Sequence, residues 1–348
     1  MNEPRILIVA PSWVGDAVIS EPLIAQIKEF HVNAAIDIFA PPWCLPVYQR
    51  MHHVQRVIEN PLAHGEMNWT RRKNIALSLQ ATAYDQVFVL PNSWKSALIP
   101  YLAKIPKRTG YTGEARLGLL NDRRALDKKQ FPRLVDRFVA LAHPVGTPKE
   151  RIEATIPVLI SNAQGQQQAR ASLKLSDTAP VAVFCPGAEY GAAKRWPPEY
   201  FAELAQHLLE EGMQIWLIGS PKDQPVADAI IATLGDTPRV HNLVGQTTLD
   251  TAIDLIATAN IAISNDSGLM HIAAAVNVSL IALFGSSSPL YTPPLSPHAQ
   301  VLRIDLPCSP CFKRECPLKH FRCMRDLTPE IVLRHVREQM AGIEHHSQ

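Results

Sequence analysis

The strongest constraint on the fold is a rhythm that runs through the chain twice. Short, largely apolar runs alternate with segments whose apolar residues recur at helical spacing. In the first half RILIVA (5–10), AAIDIFA (34–40), a short run near Val54–Ile58, YDQVFVLPN (84–92) and RTGYTGE (108–114) read as strands, and AVISEPLIAQIKEF (17–30) as a helix. The polar stretch 161–180 interrupts the pattern. It resumes with strands at 180–187, 213–220, 239–245, Ile261–Ser264 and 279–286, and helices at 198–212 and 249–259. Such alternation predicts parallel sheets covered by helices on both faces. The expected architecture is α/β, with two Rossmann-like doubly wound domains at 1–165 and 166–326. The amphipathic segment after residue 326, capped by Thr328 with Pro329 at its first position, is expected as a helix (327–348) able to brace the first domain.

At 348 residues the chain exceeds one ordinary core. With 47% hydrophobic and 19% charged residues it is a soluble globular type. No apolar run reaches the ~18–20 residues of a membrane span, and the first residues enter a strand without a basic leader, so a cytoplasmic protein is expected. The net charge of +2 hides an asymmetry: residues 1–150 carry 19 Lys/Arg against 13 Asp/Glu, whereas the remainder carries 15 against 19. A basic first half suits an anionic partner or a solvated surface. No basic-aromatic recognition motif accompanies it, so nucleic acid is not expected.

Ligands of parallel α/β sheets bind beyond the carboxyl ends of the strands. In the first half Asp16 and the turn Pro91–Lys95 lie there. Only Gly15 stands in the first turn, so the G-x-G-x-x-G signature of dinucleotide sites is missing. Asp16 reads either as a helix N-cap or as a general base. In the second half three glycine-containing turns share one edge: Pro186–Arg195, Gly219–Asp223 and Asn265–Gly268. Lys194 and Arg195 precede a proline-marked helix start, which suits a phosphate. Asp223 is placed as acidic residues are in ribose sites. The stretch Ile261–Ala275 runs from strand through the turn Asn265-Asp266-Ser267-Gly268 into a helix with His271 in its first turn, a ready anion site. Asp266-Ser267 as a plain cap is the competing reading. Cys308-x2-Cys311-x4-Cys316-x6-Cys323 could hold a structural zinc, or be reduced thiols of packing value.

The motifs PSWVGD, PGAEYGAAKRWP, NLVGQTTL, SNDSGLMHIAAA and CSPCFKRECPLKHFRCM together resemble the ADP-heptose:lipopolysaccharide heptosyltransferases over essentially the whole chain. The cysteine tail and the WVGD form are most similar to the heptosyltransferase II members. The resemblance implies a GT-B fold with the acceptor on the first domain and the donor on the second. The implied reaction is inverting transfer of heptose from ADP-L-glycero-β-D-manno-heptose to the first heptose of the inner core, on heptosyl-Kdo2-lipid A. It implies Asp16 as base and Lys194 as a contact to the donor phosphates. Gly187, Glu189, Tyr190, Asp223, Val244, Gly245, Thr247, Asp266, Ser267, Gly268 and His271 would line the donor site, with Val244, Gly245 and Thr247 on the adenine side. Glu189 and Tyr190 stand where the heptosyltransferase I pattern has hydroxyl residues. A basic domain without a membrane span suits peripheral docking on an anionic membrane face. The alternatives are a heptosyltransferase acting at another core position, a nucleotide-sugar epimerase of similar fold, and a hinged two-domain binding protein.

Overall fold

The computed structural model describes residues 3–63, 65–176, 178–235 and 237–346. The chain forms two compact units that divide between Pro157 and Val158.

The first unit holds a sheet of β1 (Arg5–Val9), β2 (Ala35–Ala40), β3 (Arg56–Glu59), β4 (Gln86–Val89), β5 (Lys107–Tyr111) and β6 (Asp122–Arg124), ordered β3-β2-β1-β4-β5-β6. Every pairing is parallel. The second unit repeats the order with β7 (Val181–Cys185), β8 (Gln214–Leu217), β9 (Val240–Asn242), β10 (Ile261–Asn265), β11 (Ser279–Phe284) and β12 (Ala299–Arg303), ordered β12-β11-β10-β7-β8-β9 and again parallel throughout. Both are Rossmann-like doubly wound sheets, as the alternation of strand and helix patterns requires. Each has one point where the strand order reverses, between β1 and β4 and between β7 and β10. The central strands are buried on both faces, which explains their continuous apolar runs.

The single helix expected at 17–30 is two, Val14–Ile19 and Glu21–Phe30. Pro22 has no N–H to continue the ladder. Ser20, fully buried at the joint, returns its hydroxyl to the Ala17 carbonyl at 2.7 Å and meets the Tyr48 hydroxyl at 3.1 Å. The polar stretch 161–180, whose composition reads as interdomain linker plus an exposed helix, lies in the second unit and does contain a helix, Ala163–Ser172. Leu159 N–H donates to the Ala275 carbonyl, Asn162 N–H to Asp254 Oδ1, and the helix Ala163–Ser172 packs on Leu249–Ile256. The last helix, Pro329–His346, lays Val332, Leu333 and Val336 into the second unit's core beside Trp196 and Phe201. No helix among the described residues is long and apolar enough to cross a membrane.

Candidate active site

In the second unit the turns that follow β7 and β10 flank the strand-order reversal, and they carry the residues singled out from the sequence. Asn265, fully buried at the end of β10, joins them: its Nδ2 donates to the Pro186 carbonyl (2.7 Å) and its Oδ1 accepts from Trp196 N–H (3.0 Å). This clamp sets the glycine loop against the start of the helix Gly268–Ala275. Ser267 occupies the cap position, but its side chain makes no capping bond. Asp266 is no plain cap either. Its buried carboxylate pairs with Lys194 Nζ at 2.5 Å and accepts a short hydrogen bond from Ser287 Oγ. The Lys194 ammonium also lies 5.2 Å from the centre of the Tyr190 ring, whose other cation neighbour is Arg314.

A cation, an anion and a hydroxyl thus meet where a helix leaves its first N–H groups unbonded. His271, in the first turn of that helix, is buried beside them. Burial pushes its imidazole down to about 4, against the pull of Asp266, with Lys194 adding to the push. His271 is therefore neutral at pH 7 and adds no charge to the site.

The adjoining turns after β8 and β9 form a second cluster. Asp223 Oδ2 accepts from both Ser220 N–H (2.9 Å) and Ser220 Oγ (2.8 Å), which locks the Gly219–Asp223 turn. Asp223, the residue read as a ribose contact, thus also holds its own turn. A Cβ at Gly187 would overlap the Asp223 carboxyl, so that position tolerates only glycine while the lock stands. Gly245, at φ +71°, takes a left-handed conformation and donates its N–H to the Gly219 carbonyl at 3.0 Å. Val244, expected on an adenine face, is buried in the unit's core. Thr247 is half-buried in the same turn. Glu189 and Lys222 form an exposed ion pair at 2.6 Å.

Sequence reasoning missed Ser287, the clamping role of Asn265 and the tail's role. Ser287 follows β11 in the run Gly285-Ser286-Ser287-Ser288 at the same carboxyl edge, and that position was the available signal. The tail lies on the glycine loop: Tyr190 Oη donates to the Phe312 carbonyl, Ala193 N–H to the Arg314 carbonyl, and Phe312 N–H to the Ser286 carbonyl. Gly191 has the Arg314 backbone so close that a Cβ would overlap it. Cys308, Cys311, Cys316 and Cys323 line one cavity of about 20 Å³ with Ala193 and Ser286, and all four are free thiols. Burial and the neighbouring thiols push Cys323 up to about 11. Among the described residues no three His, Cys, Asp or Glu side chains gather so as to hold a metal ion.

In the first unit the turns after β1 and β4 flank that sheet's own reversal. Asp16 stands in the first turn of Val14–Ile19 and is half-buried; Trp13, not Asp16, occupies the cap position. The capping reading of Asp16 therefore falls. Burial pushes the nearby Cys44 thiol up to about 12, with the Asp16 charge adding to it. Beside this turn, buried Arg116 fastens the β4 turn by donating to the Pro91 carbonyl (2.7 Å) and Asn92 Oδ1 (3.1 Å).

The model of glycosyltransferase family 9, the heptosyltransferases, matches residues 72–322. Lipooligosaccharide heptosyltransferase 2 of Haemophilus influenzae is 44% identical over 348 residues, covering 97% of this chain and 99% of that protein. Lipopolysaccharide heptosyltransferase 2 of Escherichia coli K12 is 42% identical over 335 residues, covering 94% and 96%. The solved structure of E. coli ADP-heptose lps heptosyltransferase II superposes with a TM-score of 0.89 at 40% identity, covering 98% of this chain and 99% of that one.

Proposed function

The chain belongs to glycosyltransferase family 9, the heptosyltransferases, and from that premise we propose that it moves heptose from ADP-heptose to the first heptose of the lipopolysaccharide inner core. The observation that carries the donor side is the Lys194–Asp266–Ser287 constellation at a helix start, beside a glycine loop. A diphosphate brings negative charge to a place where an ammonium and the N–H groups of a helix start meet. The charge that grows on ADP as the sugar departs is stabilised there more than the ground state is.

On the acceptor side, Asp16 takes the proton from the attacking hydroxyl. The oxygen bonds to the anomeric carbon, the bond from that carbon to the ADP oxygen breaks, and the electron pair leaves with ADP. One displacement inverts the anomeric centre and needs one base and no covalent intermediate. The ten Lys and Arg residues between positions 104 and 137 favour a phosphorylated glycolipid acceptor and peripheral contact with an anionic membrane face. A free-sugar product made from the donor alone would instead mark an epimerase, a reaction the family does not favour. A strain lacking this protein should make lipopolysaccharide whose core stops after one heptose, read by mass spectrometry. A core of normal length in that strain would overturn the reading.

A further inference from the structure

The amino edge of the first sheet, opposite the edge that carries Asp16, borders a cavity of about 410 Å³. Its floor comes from the beginnings of strands: Ile6 on β1, Gln86 on β4 and Lys107 on β5. Ile27 and Phe30 wall it from the helix Glu21–Phe30, and Leu141 and His143 from the segment after the helix Leu134–Ala140. The size lies within the ~300–1,000 Å³ of small-molecule pockets, and a mostly apolar wall with a few convergent polar groups is their usual make-up.

Two polar features stand out. His143 is only 7% exposed, its ring lies edge-on to Phe30 at 5.0 Å, and its Nε2 has no hydrogen-bond partner. Buried polar atoms are ordinarily satisfied; this one has no water-accessible surface and belongs to the wall itself rather than to the space it borders. Arg124 also lines the space; its Nη1 donates to the His143 carbonyl at 2.8 Å, and the rest of its fork holds Asp122. Lys107 Nζ lies 3.8 Å from the same Asp122 carboxylate. One carboxylate therefore serves two cations, which leaves a single positive charge at the strand-start end. Glu29, near the imidazole, is exposed and bonded to Gln26.

We propose that this cavity binds a small amphiphile with one anionic head, of the medium-chain carboxylate class. The head sits against Lys107 and Arg124, and the chain lies along Ile27, Phe88 and Leu141.

The probe is octanoate, titrated calorimetrically into the full chain, with no transfer reaction involved, so the outcome stands apart from the proposed activity. Saturable binding at one site per chain is expected. Octanol, which lacks the charge, and acetate, which lacks the chain, should each bind at least about tenfold more weakly. Ala142→Trp, which fills the cavity from its wall, should abolish binding. Lys107→Gln alters a half-exposed side chain, should melt near wild type, and should weaken octanoate by about tenfold while leaving octanol unchanged. No saturable heat, undiminished binding by Ala142→Trp, or octanol binding as tightly as octanoate would each overturn the proposal.

Discussion

Replacing Lys194 with methionine removes the ammonium but keeps a stem of similar length against Tyr190, so it isolates the ion pair. The Lys194 and Asp266 side chains are 17% and 5% exposed. Exposed pairs are worth at most about 1 kcal/mol, whereas stranding one charge of a fully buried pair costs about 3–5 kcal/mol. With the aspartate buried and the lysine retaining some access to water, Lys194→Met should destabilise the second unit by about 2–3 kcal/mol, because Asp266 keeps the Ser287 hydroxyl but loses its counter-charge. Adding Asp266→Asn removes the stranded charge and should recover more than half of that loss. Urea unfolding followed by circular dichroism measures both variants, provided the slope against denaturant is unchanged. In steady-state kinetics Lys194→Met should lower turnover by about 30- to 1,000-fold, the equivalent of about 2–4 kcal/mol of lost leaving-group stabilisation. A stability change below about 0.5 kcal/mol, or a double variant no better than the single, would refute the claim that Asp266 depends on this partner. Intact turnover with only a raised donor KM would refute the leaving-group role.

Asp16→Asn should lower turnover by about 10²–10⁴ with melting temperature and ADP binding near wild type, since the residue is not the helix cap; turnover within a few-fold of wild type would remove it as the base. For His271, the folded value of about 4 lies below the ordinary 6.5, so the unfolded chain takes up the proton first. The associated stability is present above 6.5 and is lost as pH falls toward 4, by about 3 kcal/mol in all. His271→Asn should flatten that slope relative to wild type in urea titrations between these limits, and an unchanged slope would contradict the burial account. If the four tail cysteines hold zinc, four protein ligands make the site structural, and protein purified without chelator should contain about one zinc per chain by plasma emission. A metal-free preparation that is folded and active would leave the thiols a packing role only.

The sequence made the strand–helix alternation legible because the central strands of both sheets are buried on two faces, which forces runs such as Ile261–Ile263 to be apolar. Two of the four edge strands, β6 and β12, escaped for the converse reason. Asp122–Arg124 is three polar residues at an edge, and Ala299–Arg303 is only partly buried, so neither carries a clean period. The glycine loops and Asp266 were readable because turns at strand ends draw on few residue types. What those residues do was less readable. Asp223 looks the same in sequence whether or not it also locks its own turn, and that lock depends on Ser220 three residues earlier. The burial of Val244 in the core is likewise not announced by its turn sequence. Ser287 shows its role only through a partner 21 residues away, a pairing that no local pattern announces.

The central claim is tested most directly by incubating the purified chain with ADP-heptose and a lipopolysaccharide acceptor bearing one inner-core heptose, and reading acceptor mass and anomeric configuration together. The account predicts that the acceptor gains one heptose, that one ADP is released for each transfer, and that the new linkage is inverted relative to the donor. Release of free heptose with the acceptor unchanged, or a product that retains the donor's configuration, would contradict it.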